Sequence, residues 1–509
     1  MVPSDTVNRA ARNGSIPWTS PFAVVSVIAL LVAAKLAVGA ATDLVGDEAY
    51  YTLWSLYPLQ AGYYDHPPAV VWFIEAGQFL LGETAFASRL AAIAATIVCA
   101  LAVWRTAIAL FADSTIAALG VLWFSLSLGV AVGLLIVTPD APSLLFWTLA
   151  IWAAAELYRS RNANWWLVFG LFAGLGLQAK YTGLFLGAGI VLWLLAYEGN
   201  RRWFRCWQLY AGGILALAVF WPVVWWNIGH DFVSLKFQLG RSTEAAPGLA
   251  RMAQYLPEFI AAQAGMLWPG LFLFAVAGFT LFLRRREFRR DPALGLLVAT
   301  AAPALVYFAW HAFHSRVQGN WTLPLFGQLA LLGAWAAVTW LPSSDRARAV
   351  WLWLRRWQAP LALLLVAVLY AFVAFAPLRI PARLPTDEMA GWSELADETA
   401  AIAHKVGARA VYTPDYTLVG AMASYLRFGG DDLAVYPSAG LQHYTFMDVP
   451  EPGEIGGPVL YAVRARPDAD IAPALRPFGV DAPHLSSAVR NGPGGRPAER
   501  IDFYLVSGR

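Results

Sequence analysis

The stretch PFAVVSVIALLVAAKLAVGAATDLVGDEAYY, residues 21–51, decides the reading of this chain. Its first part, residues 21–41, is an apolar run long enough to cross the hydrocarbon core of a bilayer as a helix. Its end is Asp47-Glu48-Ala49-Tyr50-Tyr51, an acidic pair beside two tyrosines. A carboxylate next to a bilayer is costly to desolvate, so an acid pair there marks either a reaction centre or a wet interfacial turn in an aromatic belt. A second polar, aromatic cluster, Tyr64-Asp65-His66-Pro67-Pro68, follows in the same segment. Lys35 lies inside the apolar run, where a charge must reach the interface or find a partner.

Composition extends this reading to the whole chain. Of 509 residues, 59% are hydrophobic and 14% charged, whereas a soluble domain carries about 25% charged residues. The chain is therefore a polytopic membrane protein, and its 24 Trp suit many interfacial positions. Two cysteines, Cys99 and Cys206, form neither a disulfide framework nor a thiolate metal site. His311 and His314 have no evident third ligand, so no metal site is expected from the histidines. Val38-Gly39-Ala40 resembles a signal-peptidase site, but the run is long for a signal segment and reads as an uncleaved first span.

Apolar runs predict about eleven spans: 21–41, 85–109, 116–137, 142–157, 165–177, 182–197, 209–226, 259–283, 292–310, 321–341 and 361–376. Between them, 42–83 and 227–257 read as polar loops. Arginines gather in alternate loops: Arg105, then Arg159 and Arg161, then Arg201, Arg202 and Arg205, then 284–290, then 346–356. The positive-inside rule puts these loops and the N-terminus in the cytoplasm and the C-terminal tail outside. The arginine runs are read as topology determinants, and no nucleic-acid partner is expected.

The opposite loops carry the distinctive chemistry. They hold Asp47 and Glu48, Asp65 and His66, Thr138-Pro139-Asp140, Gln178-Ala179-Lys180-Tyr181, the segment 227–241, and 314–321. Acids, bases and aromatics from distant parts of the chain thus share one membrane face. Beyond residue 376 the composition becomes that of a soluble domain. Periodicity predicts helices over 387–404 and 416–428, and strands over 408–412, 433–436, 459–463 and 501–506. The chain is accordingly divided into a membrane domain, 1–376, and a small α/β domain, 377–509, on the outer face. Residues 492–495 are Gly/Pro-rich but lack a strand-loop-helix frame, so they are read as a loop.

These parts suit glycosyl transfer from a lipid-phosphate sugar. A departing phosphate ester needs cations rather than a proton, and an acceptor hydroxyl needs a carboxylate base. Asp47 or Glu48 can be that base. Lys180, Lys236, Arg241 and Arg316 can hold phosphate. Each has a plainer reading: Lys180 a snorkelling lysine at a span end, Lys236 and Arg241 solvated loop charges, Arg316 a hairpin anchor. Asp140 is either a helix N-cap or a site residue. Asp47, Glu48 and Asp140 can in principle share a divalent cation, the one cofactor the residues suggest.

The ordered set of motifs resembles the C-type (GT-C) glycosyltransferase superfamily. The likeness is specifically to family 39 and its bacterial relatives, which include protein O-mannosyltransferases and lipid A aminoarabinose transferases. It rests on Asp47 to Tyr51, Tyr64 to Pro68 leading to Trp72, Thr138 to Pro142, Gln178 to Gly183, Pro222 to Asn227, Phe237 to Arg241, and Val317 to Pro324. It covers most of the membrane portion. A looser likeness runs through Asp415-Tyr416, Ser424-Tyr425 and Gln442-His443-Tyr444.

The resemblance implies an α-helical polytopic GT-C fold with a small extracytoplasmic α/β domain. It implies an inverting transferase in the bacterial inner membrane, using a polyprenyl-phosphate-linked sugar on the periplasmic side, with membrane lipids around it. It implies Asp47 as base with Glu48 beside it, Lys180 near the donor phosphate, and Asp140 within the site. In the aminoarabinose transferases a lysine precedes the Pro-Pro pair; here that residue is His66, a weaker phosphate candidate. Tyr50, Tyr51, Tyr64, Asp65, Tyr181, Asn320 and Trp321 complete the expected substrate-binding set. The acceptor is a lipid such as lipid A, another glycan, or a protein hydroxyl. The competing class is a transporter or flippase for lipid-linked sugars, which calls for charges deep in several spans and for two related halves. A third is a non-catalytic scaffold of envelope assembly, for which nothing requires acids and cations to gather.

Overall fold

The computed structural model describes residues 16–240, 248–375, 385–465 and 484–506. Among these, seven helices are long and apolar enough to cross a membrane, or up to nine if each of two sharply bent pairs counts as one span. They are Pro21–Ala41, Ala85–Phe111, Asp140–Ser160, Trp207–Gly229, Pro292–His311, Gly319–Thr339 and Asp345–Phe375. The protein is thus a helical membrane protein with a small C-terminal sheet.

The expected eleven spans differ from this in identifiable places. The run 116–137 is split into Ser114–Leu126 and Leu128–Gly133, because Ser127 takes an extended conformation between them. The run 259–283 is two helices meeting at 110°. Trp268, at φ +67°, precedes Pro269, and a residue before proline is pushed out of the helical region. The segment 42–83 is no plain loop either: it holds the helices Gly46–Ser55 and Ala69–Leu81. The latter is apolar but has only 13 residues, too few to span. Likewise 227–257 contains the helix Val233–Gly240 and the start of Leu249–Leu267.

The chain forms two compact units. One comprises Met1–Ala33, Ala92–Leu135 and Pro139–Ala367. Its helices approach closely where small residues allow it. A Cβ at Gly170 would stand 2.0 Å from the carbonyl oxygen of Gly212, and one at Gly174 would meet Ala216. The spacing of four on both helices, 170/174 and 212/216, is the small-xxx-small pattern of membrane helix packing. Some buried polar groups here satisfy one another. Trp147 Nε1 donates to Gln328 (3.0 Å), whose amide reaches Thr300 (3.2 Å). The buried Glu156 takes Arg105 and Arg159, each at 2.7 Å.

The other unit comprises Ala34–Ala91, Ile136–Thr138 and Val368–Arg509. Its sheet has strands β1 (Ala410–Thr413), β2 (Ala434–Pro437), β3 (Val459–Arg464), β4 (His484–Gly492) and β5 (Arg496–Val506). Their order is β2-β1-β3-β5-β4, parallel at β2-β1-β3 and antiparallel beyond. Helices Trp392–Val406 and Tyr416–Phe428 supply Trp392, Leu395, Leu418 and Met422 to one core with Val411, Leu460 and Phe503 of the sheet. Asp415 caps the second helix by accepting from Leu418 N–H at 3.1 Å. Against that helix packs Gly46–Ser55, closely enough that a Cβ at Gly420 would lie 2.7 Å from the backbone of Ala49.

Candidate active site

Within the second unit, the acid-pair helix Gly46–Ser55 separates its two carboxylates completely. Glu48 stands at the third helical position and accepts the N–H of Val45, an orphan donor of the first turn, at 3.0 Å. It is fully buried. Arg89 meets it in a bidentate pair, Nε to Oε1 at 2.8 Å and Nη2 to Oε2 at 2.5 Å. Val137 N–H adds a further bond to Oε1 at 2.8 Å. Arg89 spends its other donors on Gly39 O, Thr42 O, Thr42 Oγ1 and Asp43 O, so it ties the end of the first span to the start of the acid-pair helix. Glu48 is a structural anchor, and its oxygens are occupied.

Asp47, one residue earlier, points the other way. It is exposed, and its Oδ1 accepts the hydroxyl of Tyr416 at 2.8 Å. Burial, and then the charge of Asp47, push the Tyr416 phenol above the ordinary tyrosine range, so it stays a neutral donor. The second expected cluster is here too. Asp65 pairs with His443 Nδ1 at 2.7 Å, and Tyr64 stacks edge-on against the same imidazole at 4.6 Å. Tyr50 donates to the carbonyl of His443 at 3.1 Å and sits among Tyr51, Trp54, Tyr416 and Tyr444. Burial, and then Asp65, raise its phenol well above the usual value. Tyr51 lies edge-on to His66 at 6.2 Å.

The first unit holds the other expected set. Asp140 opens the helix Asp140–Ser160, but it makes no N-cap bond. Its Oδ1 takes Lys180 Nζ at 2.6 Å and its Oδ2 takes Asn320 Nδ2 at 2.7 Å. All the polar reach of this carboxylate goes into a side-chain triad, with Lys180 and Asp140 both buried. Lys180 is therefore no snorkelling surface lysine. Tyr181 bonds Ser234 (2.8 Å) and Asn227 (3.3 Å). Trp321 donates to Gln318 at 3.2 Å and its ring approaches Phe308 and His311.

Three basic candidates stand differently. Arg316 is largely exposed and makes a surface ion pair at 3.0 Å with Glu258 of the helix Leu249–Leu267. Lys236 is exposed on the helix Val233–Gly240. Arg241 lies outside the described residues. The shared divalent cation fits poorly: Glu48 is consumed by Arg89 and Asp140 by Lys180 and Asn320. Among the described residues no group of three or more His, Cys, Asp or Glu is placed to hold a metal.

Sequence reading missed Arg89, although a charge inside the apolar run 85–109 is the signal that finds such residues. It also gave Tyr416 and His443 no role, because nothing local links them to residues nearly 400 positions earlier.

The chain resembles several known proteins. A family model described as dolichyl-phosphate-mannose-protein mannosyltransferase matches residues 65–226. The chain is 27% identical to the lipid A galacturonosyltransferase RgtD of Rhizobium johnstonii over 435 residues, 83% of this chain and 86% of that one. Its fold matches ArnT of Cupriavidus metallidurans in the apo state, with TM-score 0.64 and 17% identity over 96% of this chain and 99% of that one. The same protein bound to undecaprenyl phosphate gives TM-score 0.63 and 18% identity over the same shares. The fold and these matches define a membrane-embedded glycosyltransferase. The chain is similar to the GT-C glycosyltransferases, and its likeness runs to the aminoarabinose-transferase-like members of family 39.

Proposed function

We propose that this enzyme transfers one sugar from a polyprenyl phosphate to a hydroxyl of lipid A on the periplasmic face of a bacterial inner membrane, with Asp47 as the base. The observation that carries the reading is the division of labour in the acid pair. Glu48 is locked by Arg89, while Asp47 is exposed and keeps one oxygen beside Tyr416. An exposed, oriented carboxylate on an anchored helix is what a general base requires. The name of the relative RgtD supports lipid A as acceptor, and the matching family model and the ligand of ArnT support a polyprenyl phosphate donor.

The acceptor hydroxyl gives its proton to Asp47 as its oxygen attacks the anomeric carbon. The bond from that carbon to the phosphate oxygen breaks, and polyprenyl phosphate leaves with the electron pair. A single displacement of this kind inverts the anomeric centre. Lys180 holds the donor phosphate. Its ammonium has three N–H donors, and Asp140 takes one of them. Asn320 and Asp140 fix where that ammonium stands. Tyr64 and Asp65, with Tyr50, Tyr51, Tyr181 and Trp321, are assigned to the sugar and acceptor clefts, and His66 is a weaker candidate for the phosphate. Arg241 remains a candidate for the phosphate, and Arg316 a weaker one because Glu258 already holds it.

Purified Asp47→Asn protein, given a polyprenyl-phosphate sugar and lipid A, tests this. The expected result is folded protein that makes no glycosylated lipid A by mass spectrometry. Wild-type rates from the variant would remove Asp47 as base. Movement of lipid-linked sugar across vesicles without a new glycosidic bond would mark a flippase instead.

A further inference from the structure

The partner of Asp47 comes from the sheet domain. Tyr416 is the first residue of the helix Tyr416–Phe428, and its hydroxyl donates to Asp47 Oδ1 at 2.8 Å. The approach is fixed by packing rather than by a flexible reach. Gly420, one turn on, allows this helix to touch the backbone at Ala49, and a Cβ at Gly46 would fall 2.7 Å from Thr417. The Tyr416 ring stands edge-on to Tyr50 at 5.9 Å with planes at 84°. The other charged groups nearby are already engaged. Glu388 accepts Gly46 N–H at 3.2 Å, Glu48 is held by Arg89, and Asp65 is held by His443. The phenol is therefore the group on Asp47, and Tyr416 is half exposed, as Asp47 is exposed, so the pair is open to solvent.

We propose that Tyr416 is a positioning residue for the transfer: it holds one oxygen of Asp47 and leaves the other to the acceptor hydroxyl, so the sheet domain completes the catalytic base. This rests on Asp47 being the base. A carboxylate on an exposed first turn has free rotation about χ1 and χ2, and a hydrogen bond to a packed ring selects one orientation. Misplacing a reacting group by about 1 Å costs on the order of 100-fold in rate. The sheet domain is thus a working part of the site.

The test is Tyr416→Phe in the full-length protein in lipid nanodiscs, with a polyprenyl-phosphate sugar and lipid A. The ring and its packing on Tyr50 are retained, and only the hydroxyl is lost. The expected result is a fall in kcat on the order of 10- to 100-fold, with KM for the donor and the thermal midpoint unchanged. A wild-type kcat overturns the proposal. So does a loss that comes with a lowered midpoint, which marks a packing role, or with a raised donor KM, which marks a binding role. Asp47→Asn run alongside separates the two claims. If it is inactive while Tyr416→Phe is normal, only the role of Tyr416 falls. If it is active, the assignment of the base falls, and the role of Tyr416 with it.

Discussion

Arg89 and Glu48 form a fully buried bidentate ion pair that joins the end of the first span to the helix carrying the acid pair. Two charges of opposite sign, both shielded from solvent, tolerate the loss of neither one alone. Glu48→Ala leaves a guanidinium uncompensated, and Arg89→Ala leaves a carboxylate. Each is expected to cost roughly 3–5 kcal/mol of stability. The double change Arg89→Met with Glu48→Leu removes both charges and is expected to recover much of that loss. Thermal unfolding of detergent-solubilised protein by intrinsic fluorescence measures all three. If the single variants melt with the wild type, the pair is not the anchor described.

Asp43, just after the first span, makes a prediction of opposite sign. Its Oδ2 accepts Trp392 N–H at 2.8 Å, but burial, the largest effect on it, raises its carboxyl above the ordinary value. A carboxyl whose folded value lies above its unfolded one binds its proton more readily in the folded state. It therefore favours folding below the unfolded value, and that contribution is lost as pH rises through the folded value. At neutral pH its charge is a burden. Asp43→Asn keeps an acceptor for Trp392 and removes the charge. The variant is expected to melt above the wild type at pH 7, with the gap closing as pH falls toward 4 (the unfolded carboxyl range). A constant gap, or a variant less stable at pH 7, would contradict this.

How far these features were legible in the sequence depends on the range of the interaction involved. The helix Tyr416–Phe428 is legible to the residue because its cap, Asp415, and its apolar face are local. Strand β4 is not legible. Its inward positions are Ala488, Arg490 and Gly492, and a buried arginine hides the alternation. Arg490 is inside because it lies over the ring of Trp392, which is distant in sequence, and pairs with Glu499 across the β4–β5 hairpin. The same limit governs the site. The acid pair announces itself, but nothing within the motif says which acid is anchored. That is decided by Arg89, 41 residues on, and by Tyr416, 369 residues on. Asp140 shows the same ambiguity: its position before a span suits a cap, and only Lys180 and Asn320 reveal that the carboxylate turns elsewhere.

Lys180 and Asp140 yield the last prediction, because their pairing separates the charge of the lysine from its placement. Lys180→Met removes a cation that is assigned to the donor phosphate. A hydrogen bond to a charged group contributes about 1.5–3 kcal/mol, so binding of a polyprenyl phosphate is expected to weaken roughly 10- to 100-fold. Asp140→Asn keeps a similar shape and one acceptor oxygen but loses the charge that orients the ammonium. It is expected to weaken lipid-phosphate binding less than Lys180→Met does, since the cation is still present, and to lower kcat as well. Titration of each variant in nanodiscs with a water-dispersible polyprenyl phosphate gives the binding constants, and turnover with lipid A gives the rates. Both variants binding the lipid phosphate as tightly as the wild type would show that the triad only braces the helices. A larger binding defect in Asp140→Asn than in Lys180→Met would reverse the roles, making Lys180 the support and the carboxylate the group that meets the ligand.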